Sequence, residues 1–535
     1  MNGVKKNLWI CSLSSGILMS LPWLVPGCGV FALVGLIPLL MADRIAGEGN
    51  VRHFWIWHYS AFVLWNALTT WWIALATVGG AVFAVLANAL QMSLIFGLFR
   101  LSRKHFRGIL PYIFLAVVWI AWERWYLQSA EISWPWLVLG NAFAQSPRSI
   151  QWYEYTGTLG GSLWVWTVNI SLFLLLKALS DGGWGRLGKK VRIASVAWLA
   201  CITVLPFAAS AHIYHHYDEK SEACVEVLIG QPNFDPYEKL TGLNRDQQDS
   251  VFLALIDRAL EGKPDWQGLM LAPETFTRHF VLNDFEGNAT WQRFRDLLQR
   301  YPQANILFGA NAYRYSSGSA PSILARRFGD LWVENFNSAL IVDATGRNGL
   351  YHKSKLVVGT ELTPYPRIFV PVDDMLGGVM GRCQGQKDVS VLDFRNDSLS
   401  FPLGCAICYE SVYGEYCAGY VRKGAKLMTV ITNDAWWGNA PGFRQHFSYS
   451  RLRAIELRRD LVRCGNTGIS AFIDQRGDVL SQAPWREETF LMGTANLNSE
   501  QTFFVRHGDI TGRICVFLSA LLLLLLGVRL VTRKK

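Results

Sequence analysis

Charge is scarce in this chain. Asp, Glu, Lys and Arg make up 17% of its 535 residues, against 51% hydrophobic residues and 23 tryptophans. So little charge over such a length argues against an ordinary soluble protein and points to a membrane protein of two or three domains. The net charge of +10 does not line one face of a folded domain: Lys and Arg gather beside apolar segments, which argues against nucleic-acid binding. Cysteines are few and scattered, at 11, 28, 201, 224, 383, 405, 408, 417, 464 and 515, and they form no secreted disulfide framework. Cys405 and Cys408 make a single C-x-x-C. No second such pair and no His pair completes a zinc set, and on a strand positions three apart face opposite ways. No metal and no cofactor is expected. A small-residue cleavage site is also missing after the apolar run that begins at Leu8, so that run reads as a retained first span and not a removed signal peptide.

Long apolar runs are what the chain has in abundance. A helix needs about 20 mostly apolar residues to cross a bilayer. Candidates fall near 8–24, 27–43, 54–74, 80–100, 109–126, 161–179, 193–212 and 512–530, which predicts eight spans. Flanking charge supports this number independently. Lys5-Lys6, Arg100 with Arg103, Lys104 and Arg107, Arg186 with Lys189, Lys190 and Arg192, and Arg533-Lys-Lys535 all fall on one side if the N-terminus is cytoplasmic. The segment between spans seven and eight is then extracytoplasmic. Few charges interrupt the spans; Glu123 and Arg124 close span five, where an interface or surface role is expected. The following stretch, 127–160, carries Trp134, Trp136, Trp152, Tyr153 and Tyr155 and reads as a re-entrant or interfacial segment.

Residues 222–505 have a different texture. Short β-rich runs such as Cys224-Val-Glu-Val-Leu-Ile229 and Leu427-Met-Thr-Val-Ile431 alternate with amphipathic helices near 244–261, 289–301 and 443–463. That alternation predicts a layered α/β domain large enough for its own core. The resulting division is a membrane domain of seven helices over 1–215, a catalytic domain over 222–505, and a last transmembrane helix over 510–531.

Three segments of the layered domain set polar residues at apolar strand ends: Leu271-Ala-Pro-Glu274, Tyr351-His-Lys353 with Glu361 eight residues on, and Leu403-Gly-Cys-Ala-Ile-Cys408-Tyr409-Glu410. Each has a plain alternative. Glu274 fits a surface or capping carboxylate, Lys353 a solvated lysine, and Cys408 a core cysteine. Together they resemble the nitrilase superfamily, whose hydrolase domain uses Glu, Lys and Cys in this chain order. With the spans, the resemblance narrows to the bacterial apolipoprotein N-acyltransferase family. Gln231-Pro-Asn233, Thr432-Asn-Asp-Ala-Trp-Trp-Gly438 and Gly465-Asn-Thr-Gly-Ile469 extend it across nearly the whole chain. One departure is Lys353-Ser-Lys-Leu-Val-Val-Gly-Thr-Glu361, which lacks the Pro and Phe that many members carry before the glutamate. That puts the shape of the loop in question and makes Lys355 a competitor for the lysine role, although the position after Tyr-x favours Lys353.

The resemblance implies an α+β fold: a helical transmembrane bundle of eight spans with an extracytoplasmic nitrilase-like α/β/β/α sandwich. It implies Cys408 as nucleophile and Glu274 as base. Lys353 then stabilises the thiolate and the oxyanion, helped by a backbone N–H after Cys408. Glu361 would hold Lys353 or Glu274, while Tyr409 and Glu410 shape the wall. Trp436 and Trp437 are candidates for lining the acyl channel, with core packing or an interface position as the alternatives. The Arg-rich helix 444–463 could touch lipid phosphates, but a solvated face with local ion pairs is preferred. The implied partners are a phospholipid acyl donor, a diacylglyceryl apolipoprotein acceptor and the membrane, with the chain a monomer in the bacterial inner membrane and its catalytic domain on the periplasmic side. The alternative is a membrane-tethered nitrilase-type amidase that hydrolyses a C–N bond.

Overall fold

The computed structural model describes residues 2–235 and 245–532; the basic cluster at 533–535 and the first residue of the helix expected near 244–261 lie outside them. Apolar sequence sets the first half. Helices α1 (Asn2–Leu24), α2 (Ile37–Glu48), α3 (Trp55–Thr70), α4 (Val78–Arg103), α5 (Leu110–Gln128), α6 (Tyr153–Ser180) and α7 (Lys189–His216) follow one another along the chain. Among the described residues, six helical segments are long and apolar enough to cross a membrane, including 28–48, where a 3-10 turn precedes α2. Helices α3 and α5 occupy the two remaining predicted segments; α3 has 16 residues and continues into a 3-10 turn, Trp71–Leu75.

The stretch 127–160 is buried over 135–144, while Tyr155 stays exposed. It folds into short 3-10 turns at Pro135–Leu137, Leu139–Phe143 and Pro147–Ser149, with Trp136 and Tyr153 fully buried. These turns close over the end of α5 and correct the expectation for Glu123. Its side chain is fully buried, and Oε1 accepts from Trp119 Nε1 at 3.0 Å and from the Leu139 N–H at 2.9 Å. Arg124 remains half-buried and pairs with Asp509 at 3.5 Å.

The layered half is built on period-2 strands. Strands β1 (Ala223–Gln231), β2 (Leu269–Leu271), β3 (Thr277–Val281), β4 (Asn305–Ser316), β5 (Arg326–Phe328), β6 (Leu331–Asp343) and β7 (Asn348–His352) join the late strand β14 (Thr489–Leu497) in one sheet, whose order is β14-β1-β2-β4-β6-β5 with β3 on β4 and β7 on β6. Strands β8 (Leu392–Arg395), β9 (Ser400–Ile407), β10 (Leu427–Thr432), β11 (Leu461–Gly465), β12 (Ala471–Ile473) and β13 (Val479–Gln482) form a second sheet in the order β13-β12-β11-β10-β9-β8. Alternation decides the layers. Val225, Val227 and Ile229 face Leu403, Cys405 and Ile407 of the other sheet. Leu228, Met270, Ile306 and Phe308 point outward to α8 (Arg245–Ala259) and α9 (Ala289–Arg300). The second sheet is covered in turn by α10 (Gly414–Arg422) and α11 (Pro441–Leu457). Helix, sheet, sheet and helix therefore stack as the nitrilase-like sandwich that the sequence predicts.

The expected helix 443–463 ends early. Arg458 takes a left-handed φ of +47° after Leu457, and 461–465 is strand β11. Its arginine face is not solvated either: Arg453, Arg458, Arg459 and Arg463 are all buried. Arg453 donates to the Val412 carbonyl at 2.9 Å and pairs with Glu456 at 3.0 Å, while Arg458 reaches Glu154 at 2.7 Å. Buried guanidinium groups need such partners, and here many come from distant chain. On the same helix, Gln445 Oε1 accepts from Trp136 Nε1 at 2.7 Å and Trp72 Nε1 at 3.2 Å, and Tyr449 donates to the Trp136 carbonyl at 2.7 Å. Helix α11 thus joins the sandwich to the apolar bundle. The last helix, α12 (Ile510–Thr532), packs along α5 and α6.

Candidate active site

The candidate residues meet where strands of both sheets end. Past β2 the chain turns through Pro273 to Glu274. This turn runs so close to β4 that a Cβ added to Gly309 would stand 2.6 Å from the Glu274 Cα, which restricts that position to glycine. Asn337 on β6 and Lys353, directly after β7, continue the inward parity of Ala339, Ile341 and Tyr351. Cys408 comes directly after β9. It adopts φ +51° and opens a 3-10 turn, Cys408–Val412. A left-handed conformation is strained for a residue with a Cβ. A sharp strand-to-helix turn of this kind lifts a nucleophile off the strand end, the logic of a nucleophile elbow.

Glu274, Lys353 and Cys408 are all buried. Lys353 Nζ donates to Glu274 Oε1 at 2.9 Å and to Glu361 Oε1 at 3.0 Å. Asn337, which the sequence reading missed, donates from Nδ2 to the same two oxygens at 2.8 and 2.7 Å. The other Glu274 oxygen accepts the Asn433 N–H at 3.1 Å. The loop lacking Pro and Phe still brings Glu361 back, because the Val357 N–H donates to Glu361 Oε2 at 2.8 Å. Lys355 goes elsewhere. Its Nζ stands 5.2 Å from the Tyr413 ring and lines a neighbouring cavity of about 280 Å3.

The charges follow from burial and pairing. Burial alone would lower the Lys353 pKa, but the carboxylates of Glu274 and Glu361 outweigh it and hold the ammonium well above its ordinary value. The Cys408 thiol is pushed well above its ordinary value by burial and then by the Glu274 carboxylate, although Lys353 pulls it down. The Cys408 thiol is therefore neutral at rest beside a fixed cation, and a role as nucleophile would require it to lose its proton as it attacks.

Glu410 acts through the backbone. Buried beside the turn, it accepts from Tyr351 Oη at 2.6 Å, Ser354 N–H at 2.6 Å and Ile407 N–H at 2.8 Å. One carboxylate thus ties the Lys353 segment to the Cys408 segment. Tyr409 faces the bundle: it stacks on Trp134 with ring centroids 5.7 Å apart and donates to the Ser133 carbonyl at 3.2 Å. Trp437 lies 4.5 Å from Trp72, and both Trp436 and Trp437 are half-buried. Among the described residues, the single group with metal-ligand chemistry is Cys408, Asp434 and His446, whose ligand atoms lie within 4.8 Å of one another. Arg463 already pairs with that carboxylate and His446 with the Cys408 carbonyl oxygen, so the cluster reads as a hydrogen-bonded set.

Asn337 should be the most informative of the missed residues. Asn337→Leu keeps the volume but leaves the two glutamates joined only through Lys353. The acylation that the resemblance implies at Cys408 is expected to slow about 100-fold, the scale of a small misplacement in a reacting site. Single-turnover acylation with an intact melting transition checks this; an unchanged rate contradicts it.

Two family models match the chain: the apolipoprotein N-acyltransferase N-terminal domain over residues 15–171 and the carbon-nitrogen hydrolase domain over 269–503. An apolipoprotein N-acyltransferase of Chlorobaculum tepidum is 27% identical over 526 residues, covering 97% of this chain and 96% of that protein. Another, of Geobacter metallireducens, is 24% identical over 530 residues, covering 96% and 94%. Within a shorter region of 141 residues, 26% of each chain, the apolipoprotein N-acyltransferase of Haemophilus influenzae is 36% identical.

Proposed function

Since the chain belongs to the apolipoprotein N-acyltransferase family, we propose that it moves an acyl chain from a phospholipid to the α-amine of an N-terminal diacylglyceryl-cysteine, by way of a thioester on Cys408. In the first half-reaction Glu274 takes the thiol proton while sulfur attacks the ester carbonyl. The tetrahedral oxyanion forms beside the Lys353 ammonium and the Tyr409 N–H. As it collapses, the C–O bond breaks and the proton on Glu274 passes to the departing lysophospholipid oxygen. In the second half the acceptor amine attacks the thioester, Glu274 takes the amine proton, and the Cys408 thiol is restored with that proton.

The observation that carries this reading is the seating of the nucleophile's turn on the apolar bundle, with Tyr409 stacked on Trp134 and Trp437 against Trp72. A hydrolase of small C–N substrates has no use for that floor, whereas two lipid substrates must reach the thiol from a bilayer, and excluding water protects a thioester. Within this reading the membrane unit comprises residues 1–215 with 510–531, crossing eight times. Residues 222–505 form the catalytic unit on the periplasmic side of the inner membrane, the chain works as a monomer, and Trp436 and Trp437 line the acyl path. Purified protein given phospholipid and a diacylglyceryl-cysteine peptide should yield N-acylated peptide and lysophospholipid. Release of free fatty acid or ammonia alone would overturn the proposal in favour of a hydrolase.

A further inference from the structure

His446 plays no part in the scheme above, yet it is fully buried against the nucleophile's turn. It sits on α11 with both ring nitrogens occupied. Nδ1 lies 2.9 Å from Asp434 Oδ1, and Nε2 lies 3.0 Å from the Cys408 carbonyl oxygen. A carbonyl oxygen can only accept, so Nε2 carries a proton. The Asp434 carboxylate at Nδ1 is itself fixed, since it pairs with the Arg463 guanidinium and accepts from Thr432 Oγ1 at 2.8 Å. Arg463 Nη2 also lies 3.2 Å from Nδ1. Ser411 donates to the same Cys408 carbonyl at 2.8 Å and presents its oxygen to Nε2 at 3.0 Å. The carbonyl of the strained residue is thus held from two sides.

We propose that His446, held between Asp434 and the Cys408 carbonyl oxygen, is a positioning residue that keeps the nucleophile's left-handed turn in place. Strain at a reacting residue persists only where its surroundings over-determine it. Here the strained bond rotation decides both where the thiol points and where the Tyr409 N–H lies. Burial tends to neutralise Asp434, but the charges of His446 and Arg463 outweigh it and hold the carboxyl below its ordinary value. Trp136 and Trp437 pack beside the His446 ring, each 5.7 Å away between centroids. The titratable and charged groups facing His446 are therefore Asp434, Arg463 and Cys408, with Glu274 and Lys353 acting on the thiol from the other side.

The inference rests on Cys408 being the nucleophile, so the test reads the thiol and not the final acceptor. Two variants are compared with wild type in the full-length protein: His446→Gln, whose amide can still donate to the Cys408 carbonyl, and His446→Leu, which removes the donor. Cys408 acylation by phospholipid is followed in single turnovers, with the melting transition recorded for each. His446→Leu should be about 100-fold slower in the maximal rate, with half-saturation by phospholipid within about twofold of wild type. His446→Gln should recover most of that loss, to within about tenfold of wild type. A His446→Leu rate within about threefold of wild type overturns the proposal, and so does a His446→Gln rate as low as that of His446→Leu. If His446→Leu does not fold, His446→Phe, which keeps a ring and lacks the donor, takes its place. Failure of wild type itself to acylate would instead strike at Cys408 as nucleophile.

Discussion

Replacing Cys408 by serine should lower acyl-enzyme formation by more than about 10,000-fold, the scale on which losing a nucleophile acts. The two side chains are close in size, so the turn at φ +51° and its hydrogen bonds should survive. What changes is the acidity of the attacking group. A carboxylate can take a proton from a thiol as sulfur attacks, but a hydroxyl is a much weaker acid, and the oxygen nucleophile would be formed too rarely. Intact-protein mass after incubation with phospholipid checks the outcome: one acyl chain on wild type, none on Cys408→Ser within the same period. Cys405 supplies the control. It is buried on the inward face of β9 with its thiol pushed up to about 12 by burial, and Cys405→Ala should leave the acyl mass in place. Turnover by Cys408→Ser at the wild-type rate would remove the covalent step from the account.

The second large effect is expected from Glu274→Gln. Losing a general base costs about 100- to 10,000-fold, and here the upper end applies, because burial keeps the Cys408 thiol protonated. The amide also takes a negative charge from Lys353, which keeps Glu361 at 3.0 Å. The sign of the pH dependence follows. Burial, the largest of the causes that raise the thiol, remains in this variant while the base is gone, so hydroxide must remove the proton. The residual rate of Glu274→Gln should therefore climb about tenfold per pH unit through the neutral and alkaline range, whereas wild type should not need alkali. A variant that keeps near-wild-type rates at neutral pH would show that the thiol loses its proton by another route.

Local patterns made much of this molecule legible. Apolar runs marked the helices, and short β-rich runs between amphipathic helices marked a layered α/β domain, whereas its two facing sheets followed from the resemblance. Glu274, Lys353 and Cys408 lie at the ends of apolar strands, where each alone had a plain alternative; it was their chain order, which resembles that of the nitrilase superfamily, that singled them out. Asn337 carried a fainter signal of the same kind, a polar residue on the inward parity of β6 beside Ala339 and Ile341. What stayed hidden depends on distant partners. Arginines are usually solvated, so the run 451–459 read as a wet helix face. Its buried members instead use Glu154 and the carbonyls of Val412 and Ala425, which no local pattern connects to them. Glu123 is covered by turns 135–143, whose aromatic content suggests an interface when read alone. His446 is a lone histidine in the sequence, and only its contacts with Asp434 and Cys408 give it meaning.

The central claim is a thioester on Cys408 that carries an acyl chain between two lipids. The most direct measurement is peptide mass spectrometry of the protein incubated with phospholipid alone and then chased with a diacylglyceryl-cysteine peptide. The account predicts an acyl mass on the peptide containing Cys408, absent from Glu274→Gln at neutral pH over the same period, and its quantitative transfer to the amine of the added peptide. An acyl mass on another residue, or one that is lost as free fatty acid without reaching the amine, would contradict it.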